Sequence, residues 1–179
     1  CASAAPHRCG HSTDTVFAVV VPAHDEADNI EATVASLRSL EYPADRFSVN
    51  VIADNCTDDT ADVARAAGAT VHERIEPLNR GKGQALEWAF ARLLSNSAVD
   101  AVVIVDADTV CDPHLLQRAA HHVENGVLAM QVDYRVRNPD TTWRTTLLDV
   151  AFTAQHRVRS RGRDALGLSV GLRGNGMVF

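Results

Sequence analysis

An apolar stretch that ends in two acids decides how this sequence folds: residues 101–108 are Ala-Val-Val-Ile-Val-Asp-Ala-Asp. Its first five residues carry no polar side chain, which is typical of a strand buried on both faces. Residues 16–21 form a similar run that Pro22 closes, and residues 49–53, apolar except for Asn50, form the second predicted strand. Such strands are found in parallel sheets, because helices cover both faces of those sheets.

Helical patterns separate the predicted strands. Ile30, Val34 and Leu37 recur at helical spacing after Asp28, which we expect to be the N-cap. A second helix is expected to end at Ala67 before Gly68, and a strand is expected at 69–72. A longer helix after the loop 77–83 has an apolar face formed by Leu86, Ala89, Phe90, Leu93 and Leu94. A last regular helix is expected from Asp112-Pro113 to Asn125-Gly126. The alternation predicts an α/β fold with a mostly parallel sheet and helices on both faces.

Three regions follow from the pattern. Residues 1–15 are interpreted as a linker, residues 16–126 as the regular α/β domain, and residues 127–179 as a region of different character. In this last region, residues 127–136 partly alternate as a strand would, residues 141–160 are helical in pattern, and residues 166–179 are rich in glycine. The chain starts at Cys1 instead of Met, so we expect it to be part of a longer protein.

Composition limits the classes of partner. The net charge is -6 and the pI about 5.7, which argues against nucleic acid as the main partner, because phosphate binding needs clustered Lys and Arg. No apolar run approaches the roughly 20 residues of a membrane span. A metal site formed by Cys1, His7, Cys9 and His11 is conceivable, but their spacing lacks the two ligand pairs usual for structural zinc, and a linker is the preferred interpretation.

Acidic residues follow three of the predicted strands. Asp106 and Asp108 lie on the same side of an extended chain, where two carboxylates are costly unless a cation lies between them. A hard divalent cation meets that need. Asp54 ends the second strand and can accept a hydrogen bond from a uracil imide, and Glu26 follows the first strand. Helix capping is the simple explanation of Asp58 and Asp59, and for Glu26 taken alone the preferred explanation is an acid in the first turn of a helix, where the helix dipole favours it. Ligands of such sheets bind beyond the carboxyl ends of the strands.

A glycine- and lysine-containing loop precedes the long helix: residues 79–83 are Asn-Arg-Gly-Lys-Gly. Glycines allow the backbone to approach a ligand closely, and a helix N-terminus favours an anion. Lys82 adds a positive charge there. The spacing differs from that of a Walker loop, and no Ser or Thr follows the lysine.

In this order, the features closely resemble those of the family-two glycosyltransferases, which have the GT-A fold. The family's Pro-Ala-x-Asn-Glu-like turn corresponds to residues 22–26 and its Asp-Asp-x-Ser-x-Asp-like segment to residues 53–58. Its Gly-Lys-Gly loop corresponds to residues 81–83 and its Asp-x-Asp motif to residues 106–108. The resemblance covers roughly residues 16–179. It departs from the family pattern at Ala53, where the family often has an Asp, and at Asp25, which replaces the usual Asn.

The resemblance implies a nucleotide-sugar donor, expected to be a UDP-sugar, and inverting transfer to an acceptor hydroxyl. The residues that it implies for the nucleotide are Pro22, Ala23, Glu26, Asp54, Lys82 and Asp106. It implies that Asp106 and Asp108 hold Mn²⁺ or Mg²⁺ against the diphosphate. Gly174, Asn175 and Gly176 fit an acceptor-side loop, and a glycine-rich turn before a strand explains them equally well. Residues 16–126 would then be the nucleotide-sugar-binding domain and residues 127–179 the start of the acceptor-side region.

Other implications concern the whole protein. The family's catalytic base would follow residues 174–176 in a part of the pattern beyond Phe179, so we expect the isolated chain to be inactive. Segments such as residues 134–139 resemble those of membrane-tethered bacterial enzymes, which suggests a cytoplasmic domain at a membrane face and a saccharide or lipid-linked acceptor. A donor-binding module without catalysis is the alternative. A nucleotidyltransferase is disfavoured, because the turn at residues 22–26 has no glycine.

Overall fold

The computed structural model describes residues 13–95 and 99–179, and residues 1–12, with the cluster Cys1, His7, Cys9 and His11, lie outside this part of the chain. In the described part, one sheet contains strands β1 (Phe17–Ala23), β2 (Phe47–Asp54), β3 (Thr70–Arg74), β4 (Ala101–Ile104), β5 (Met130–Gln131) and β6 (Met177–Val178). The helices are α1 (Ala27–Arg38), α2 (Thr60–Ala66), α3 (Lys82–Leu93), α4 (Leu115–Glu124), α5 (Trp143–Thr153) and α6 (Arg161–Ala165). A π-helical segment, Ala154–Ser160, joins α5 to α6.

The sheet has the strand order β3-β2-β1-β4-β6-β5. Strands β1 to β4 are parallel, with β1 between β2 and β4, whereas β6 runs antiparallel to both β4 and β5. The predicted mostly parallel α/β fold is therefore confirmed. Because the four parallel strands end at the same edge, the segments that follow them lie next to one another there.

Strand β1 shows why the sheet is covered on both faces. Its side chains alternate between two cores, as the two-residue period of a strand requires. Phe17, Val19 and Val21 pack in the core under α1, α2 and α4, whereas Ala18 and Val20 pack with α3. All five are at most 1% exposed, and each buried Val contributes about 1.5–3 kcal/mol relative to an exposed one. A strand with polar residues at every second position could not occupy this place, because one of the two cores would then receive polar side chains.

Several local predictions were wrong. The N-cap of α1 is Glu26, not Asp28, which lies in the first turn of the helix. Leu94 is 49% exposed because α3 ends at Leu93, so it does not belong to the apolar face. Of the strand predicted at residues 127–136, only Met130–Gln131 pairs with another strand. The helical pattern of residues 141–160 is confirmed in type, but the helix changes to π geometry at Ala154 and continues to Ala165.

The region after α4 is less buried than the sheet. Its helices α5 and α6 contribute no fully buried residue, and His156 of the π-helical segment is their buried anchor, packed on Tyr134 and Phe152. Within the described residues, no helix combines the length and apolar character needed to cross a membrane. The three-region division stays a prediction. Thr15, assigned to the linker, is buried and donates a hydrogen bond to Glu124.

Candidate functional site

A cavity of about 430 Å³ opens at the carboxyl edge of the parallel strands. This volume lies in the range of ligand-binding pockets. It is bounded by the segments that follow β1, β2 and β4 and by the start of α3. The lining residues are Pro22, Ala23, His24, Glu26, Asp54, Asn55, Arg80, Gly81, Lys82, Ala85, Asp106, Ala107 and Asp108. The cavity thus collects the six residues predicted for the nucleotide and both residues predicted for the metal.

Lys82 contacts the Asp-x-Asp segment directly. Its ammonium forms an ion pair with Asp106 and donates to the carbonyl of Gly174 at 2.7 Å. Asp106 is partly exposed and Asp108 is exposed. Among the described residues, Lys82 is the cation that pairs with this turn, through Asp106, so Asp108 adds a second negative charge to the cavity wall.

The glycine-rich segment near the end of the chain holds the Asp-x-Asp turn in place. The Asn175 side chain accepts a hydrogen bond from the backbone N–H of Asp106 at 3.1 Å and donates to the Thr109 hydroxyl at 2.9 Å. The backbone N–H of Gly176 donates to the Ile104 carbonyl at 2.9 Å. Residues 174–176 therefore lie behind the two acids and do not line the cavity itself.

Asp54 is held from inside the protein. It is 6% exposed, and its Oδ1 accepts from the guanidinium of Arg74 at 2.6 Å and from the Asn55 amide at 2.8 Å. Arg74 is 2% exposed and also donates to Glu76 and to the Asn79 carbonyl. These bonds fix one carboxylate oxygen of Asp54, and both hydrogen-bond partners of that oxygen are donors. The arrangement keeps Asp54 an acceptor beside the cavity.

The turns after β1 and β2 contact each other. Asp25 and Asn55 have positive φ values of 54° and 51°, an unusual backbone conformation that Asp and Asn tolerate better than most residues. The Asp25 carboxylate accepts from the backbone N–H of Thr57 at 2.6 Å. The His24 ring contacts the Asp54 carbonyl at 2.7 Å. The sequence comparison with the family motif did not single out His24, Asn55 or Arg80, although all three line the cavity.

The donor set suits a hard divalent cation. Asp106 and Asp108 offer carboxylate oxygens, which are the ligands that Mg²⁺ and Mn²⁺ prefer. Asp106 already has a cationic partner in Lys82, which shows that a positive charge is accommodated at this position. Glu26 is partly engaged, because its carboxylate accepts from the Asn29 amide at 2.8 Å.

Comparison with known proteins identifies relatives. Glycosyltransferase AglD of Haloferax volcanii is 36% identical over 115 residues, which are 60% of this chain and 18% of AglD. Mannosyltransferase PcManGT from Pyrobaculum calidifontis, solved in complex with GDP-Man and Mn²⁺, is similar in structure with a TM-score of 0.59 and 26% identity, over 72% of this chain and 41% of that one.

A third similar protein is glucosyl-3-phosphoglycerate synthase from Mycobacterium tuberculosis, solved in complex with UDP. Its TM-score is 0.59 at 25% identity, over 92% of this chain and 56% of that one. The chain therefore spans less than two thirds of the length of each of these three proteins. The sequence model of one family, described as "Glycosyltransferase like family 2", matches residues 14–179. Because this match includes nearly all of the sequence, the chain belongs to that glycosyltransferase family.

Proposed function

We propose that the cavity binds a nucleotide-sugar donor, specifically a UDP-sugar, with Mn²⁺ or Mg²⁺ held by Asp106 and Asp108, and that it serves inverting transfer to a saccharide or lipid-linked hydroxyl. The observation that carries this proposal is the convergence of acids from three strand ends and the Lys82 loop on one cavity. Two similar structures support it, because one contains UDP and the other GDP-Man with Mn²⁺.

The uracil end of the donor is assigned to Asp54. Its second carboxylate oxygen can accept the imide N–H of uracil, while Arg74 and Asn55 hold the first oxygen. Pro22, Ala23 and Glu26 line the same part of the cavity, where the nucleoside would lie.

The diphosphate end is assigned to Lys82, Asp106 and Asp108. The bound metal would act as a Lewis acid that offsets the charge of the leaving diphosphate. With Asp106 and Asp108 holding the ion, the ammonium of Lys82 would be available to a phosphate oxygen at the start of α3. Asn175 would hold the Asp106 backbone in place, and we propose that Gly174–Gly176 also border the acceptor.

Two further acids lie outside the cavity. Asp133 pairs with Arg157 at 2.9 Å and Asp149 with Arg135 at 3.4 Å. Both are engaged in ion pairs of the region after α4, and neither lines the cavity. We assign no catalytic role to them.

Calorimetry of UDP binding tests the proposal. The chain should bind UDP in the presence of Mn²⁺ and much more weakly without it, and an Asp106→Ala, Asp108→Ala double variant should lose the metal-dependent part. An Asp133→Ala, Asp149→Ala variant is the matched control, since it removes the same charge outside the cavity. Equal UDP binding by the two double variants would show that the assigned donor site is wrong. The same conclusion would follow if the folded, unmodified chain did not bind UDP.

A further inference from the structure

We propose that His24, Asp25 and Cys56 form a second metal site, for a thiophilic divalent cation of the Zn²⁺ class. One ligand atom from each residue, namely a ring nitrogen, a carboxylate oxygen and the Cys56 sulfur, lies within 4.8 Å of the other two. Bonds of about 2.0–2.3 Å to a tetrahedral ion place such atoms about 3.5 Å apart. Binding of one ion by all three atoms therefore requires shifts of about 1 Å in the exposed His24 and Asp25 side chains and the half-buried Cys56 side chain.

The orientation of the His24 ring favours metal binding. Its Nδ1 lies 2.7 Å from the Asp54 carbonyl, which can only accept, so Nδ1 carries the proton and donates. In the neutral ring, Nε2 is then left with its lone pair, and this atom lies 3.9 Å from the Asp25 carboxylate. A histidine ligand whose other nitrogen donates to a backbone carbonyl is the usual arrangement around protein-bound zinc.

The turn backbone holds the Asp25 ligand. Asp25 has a φ of 54°, and its Oδ1 accepts from the backbone N–H of Thr57, one residue after Cys56. This bond ties the turn after β1 to the turn after β2 before any ion is bound. The Oδ2 atom lies 3.9 Å from the His24 Nε2 and accepts from the Thr57 hydroxyl at 3.2 Å, and it is the oxygen that we assign to the ion. The three ligands come from turns that the parallel pairing of β1 and β2 already places side by side.

The chemistry of the ligands separates this site from the Asp106–Asp108 pair. A thiolate and an imidazole select zinc-class ions, whereas two carboxylates and a diphosphate select Mg²⁺ or Mn²⁺. Cys56 is half-buried, and this burial raises the pKa of its thiol. The thiol therefore carries its proton in the metal-free chain at neutral pH. As the sulfur–metal bond forms, that proton passes to solvent, and no oxidant or reductant is needed.

A bound ion would join the two turns that form one wall of the cavity. His24 lines the cavity, and Asp54, whose carbonyl orients His24, is on the same wall. The ion would stabilise the folded chain, because the site exists only when β1 and β2 are paired. This inference does not depend on the donor assignment, since it concerns metal binding in the absence of nucleotide.

Cobalt(II) absorption spectroscopy tests the site, because a cobalt–thiolate bond gives a charge-transfer band in the near ultraviolet. The starting protein is the full chain carrying Cys1→Ser, His7→Gln, Cys9→Ser and His11→Gln, so that the N-terminal residues contribute no ligands. We expect one equivalent of Co²⁺ to produce the band, Zn²⁺ to abolish it by displacement, and Zn²⁺ to raise the melting temperature.

Matched variants identify the ligands. Cys56→Ser should remove the band and the thermal shift, and His24→Phe should weaken Co²⁺ binding at least tenfold. Cys111→Ser and the Asp106→Ala, Asp108→Ala pair should retain the band, because these residues lie outside the site. A folded protein that binds no stoichiometric Co²⁺, or whose band survives Cys56→Ser, would overturn the proposal. Circular dichroism establishes that each variant is folded, and His24→Phe provides a second test should Cys56→Ser fail to fold.

Discussion

Arg74 is the largest fully buried side chain in the described part of the molecule. It forms a hydrogen-bonded ion pair with Asp54, the residue proposed to bind the base. It donates to Asp54 at 2.6 Å, to Glu76 at 2.8 Å and to the Asn79 carbonyl at 2.7 Å. A buried charge pair of this kind contributes little net stability but is costly to break, because the remaining charge stays away from water. The main effect of removing Arg74 is therefore expected to come from the Asp54 carboxylate, which would stay buried without a cationic partner.

We expect Arg74→Met to lower the free energy of unfolding by about 3–5 kcal/mol, because Asp54 would remain buried without its cationic partner. Urea unfolding followed by circular dichroism measures this change. Arg65→Met is the control, since Arg65 pairs with Asp62 and Glu73 at the surface and its removal should have little effect. Equal losses in the two variants would contradict a special role for the buried pair.

Lys82 and a divalent cation compete for Asp106. In Lys82→Met the carboxylate loses its ammonium partner, so Mn²⁺ should bind the nucleotide-free chain about two- to fivefold more tightly, the range expected for a partly exposed ion pair. Electron paramagnetic resonance of free Mn²⁺ measures the affinity. Arg80→Met removes a charge from the same cavity, but the Arg80 side chain donates to the Pro77 carbonyl, so a smaller change is expected. A weaker Mn²⁺ affinity in Lys82→Met would contradict the competition.

The sequence predicted which acids lie at the candidate site but not which side chains they contact. Asp54 and Asp106 were predictable, because an acid after an apolar strand lies at the ligand-binding edge of a parallel sheet. Arg74 ends β3, which was predicted to stop at residue 72, and nothing in the local pattern shows that its guanidinium turns inward to Asp54. The ion pair of Lys82 with Asp106 joins residues 24 positions apart, which motif spacing alone does not reveal.

At the scale of elements, β6 connects the late, glycine-rich segment to the parallel sheet. Gly176 has a φ of 67°, its N–H donates to Ile104 of β4, and its carbonyl accepts from Val132 at 2.7 Å. A Cβ at this position would lie 3.0 Å from the Val132 Cβ. Both the backbone conformation and the available space therefore require glycine here.

Gly176→Ala should consequently destabilise the fold by about 1–3 kcal/mol, through backbone strain and the close contact with Val132. It should also weaken Mn²⁺-dependent UDP binding, because Asn175, which holds the Asp106 backbone, precedes the strained residue. Thermal unfolding and calorimetry measure the two effects. Gly171→Ala is the control, since its added Cβ would meet open space. If both glycines tolerate alanine equally, the proposed support by β6 is wrong.

Strand prediction succeeded for the four parallel strands, including the partly exposed β3, and failed at the antiparallel edge of the sheet. The runs at residues 16–21, 49–53 and 101–105, which are apolar except for Asn50, gave β1, β2 and β4 to within two residues at either end. Residues 127–136 alternate only partly, and the paired segment shrinks to Met130–Gln131, because its partner β6 has just two residues. The length of such an edge strand is set by its distant partner and not by its own side-chain pattern.

At the scale of the whole molecule, the site depends on the order of the strands. The segments after β1, β2 and β4 are 30 or more residues apart in sequence and become neighbours only because β1 lies between the other two strands. The region containing α5, the π-helical segment and α6 packs chiefly on itself, around Tyr134, Phe152 and His156. A ligand in the cavity therefore contacts the segments that follow the strands. The helical region is connected to the ligand only through the polypeptide chain.

Hydrogen exchange should show this division. With UDP and Mn²⁺ bound, we expect slower amide exchange in residues 22–29, 54–60, 80–86 and 105–109, because local opening of these segments must first release the ligand. Residues 143–165 should be unchanged, since they do not line the cavity. The Asp106→Ala, Asp108→Ala variant provides the control and should show no protection. Slower exchange across residues 143–165 in the unmodified chain would mean that the helical region closes on the donor, which would contradict the separation of the two parts.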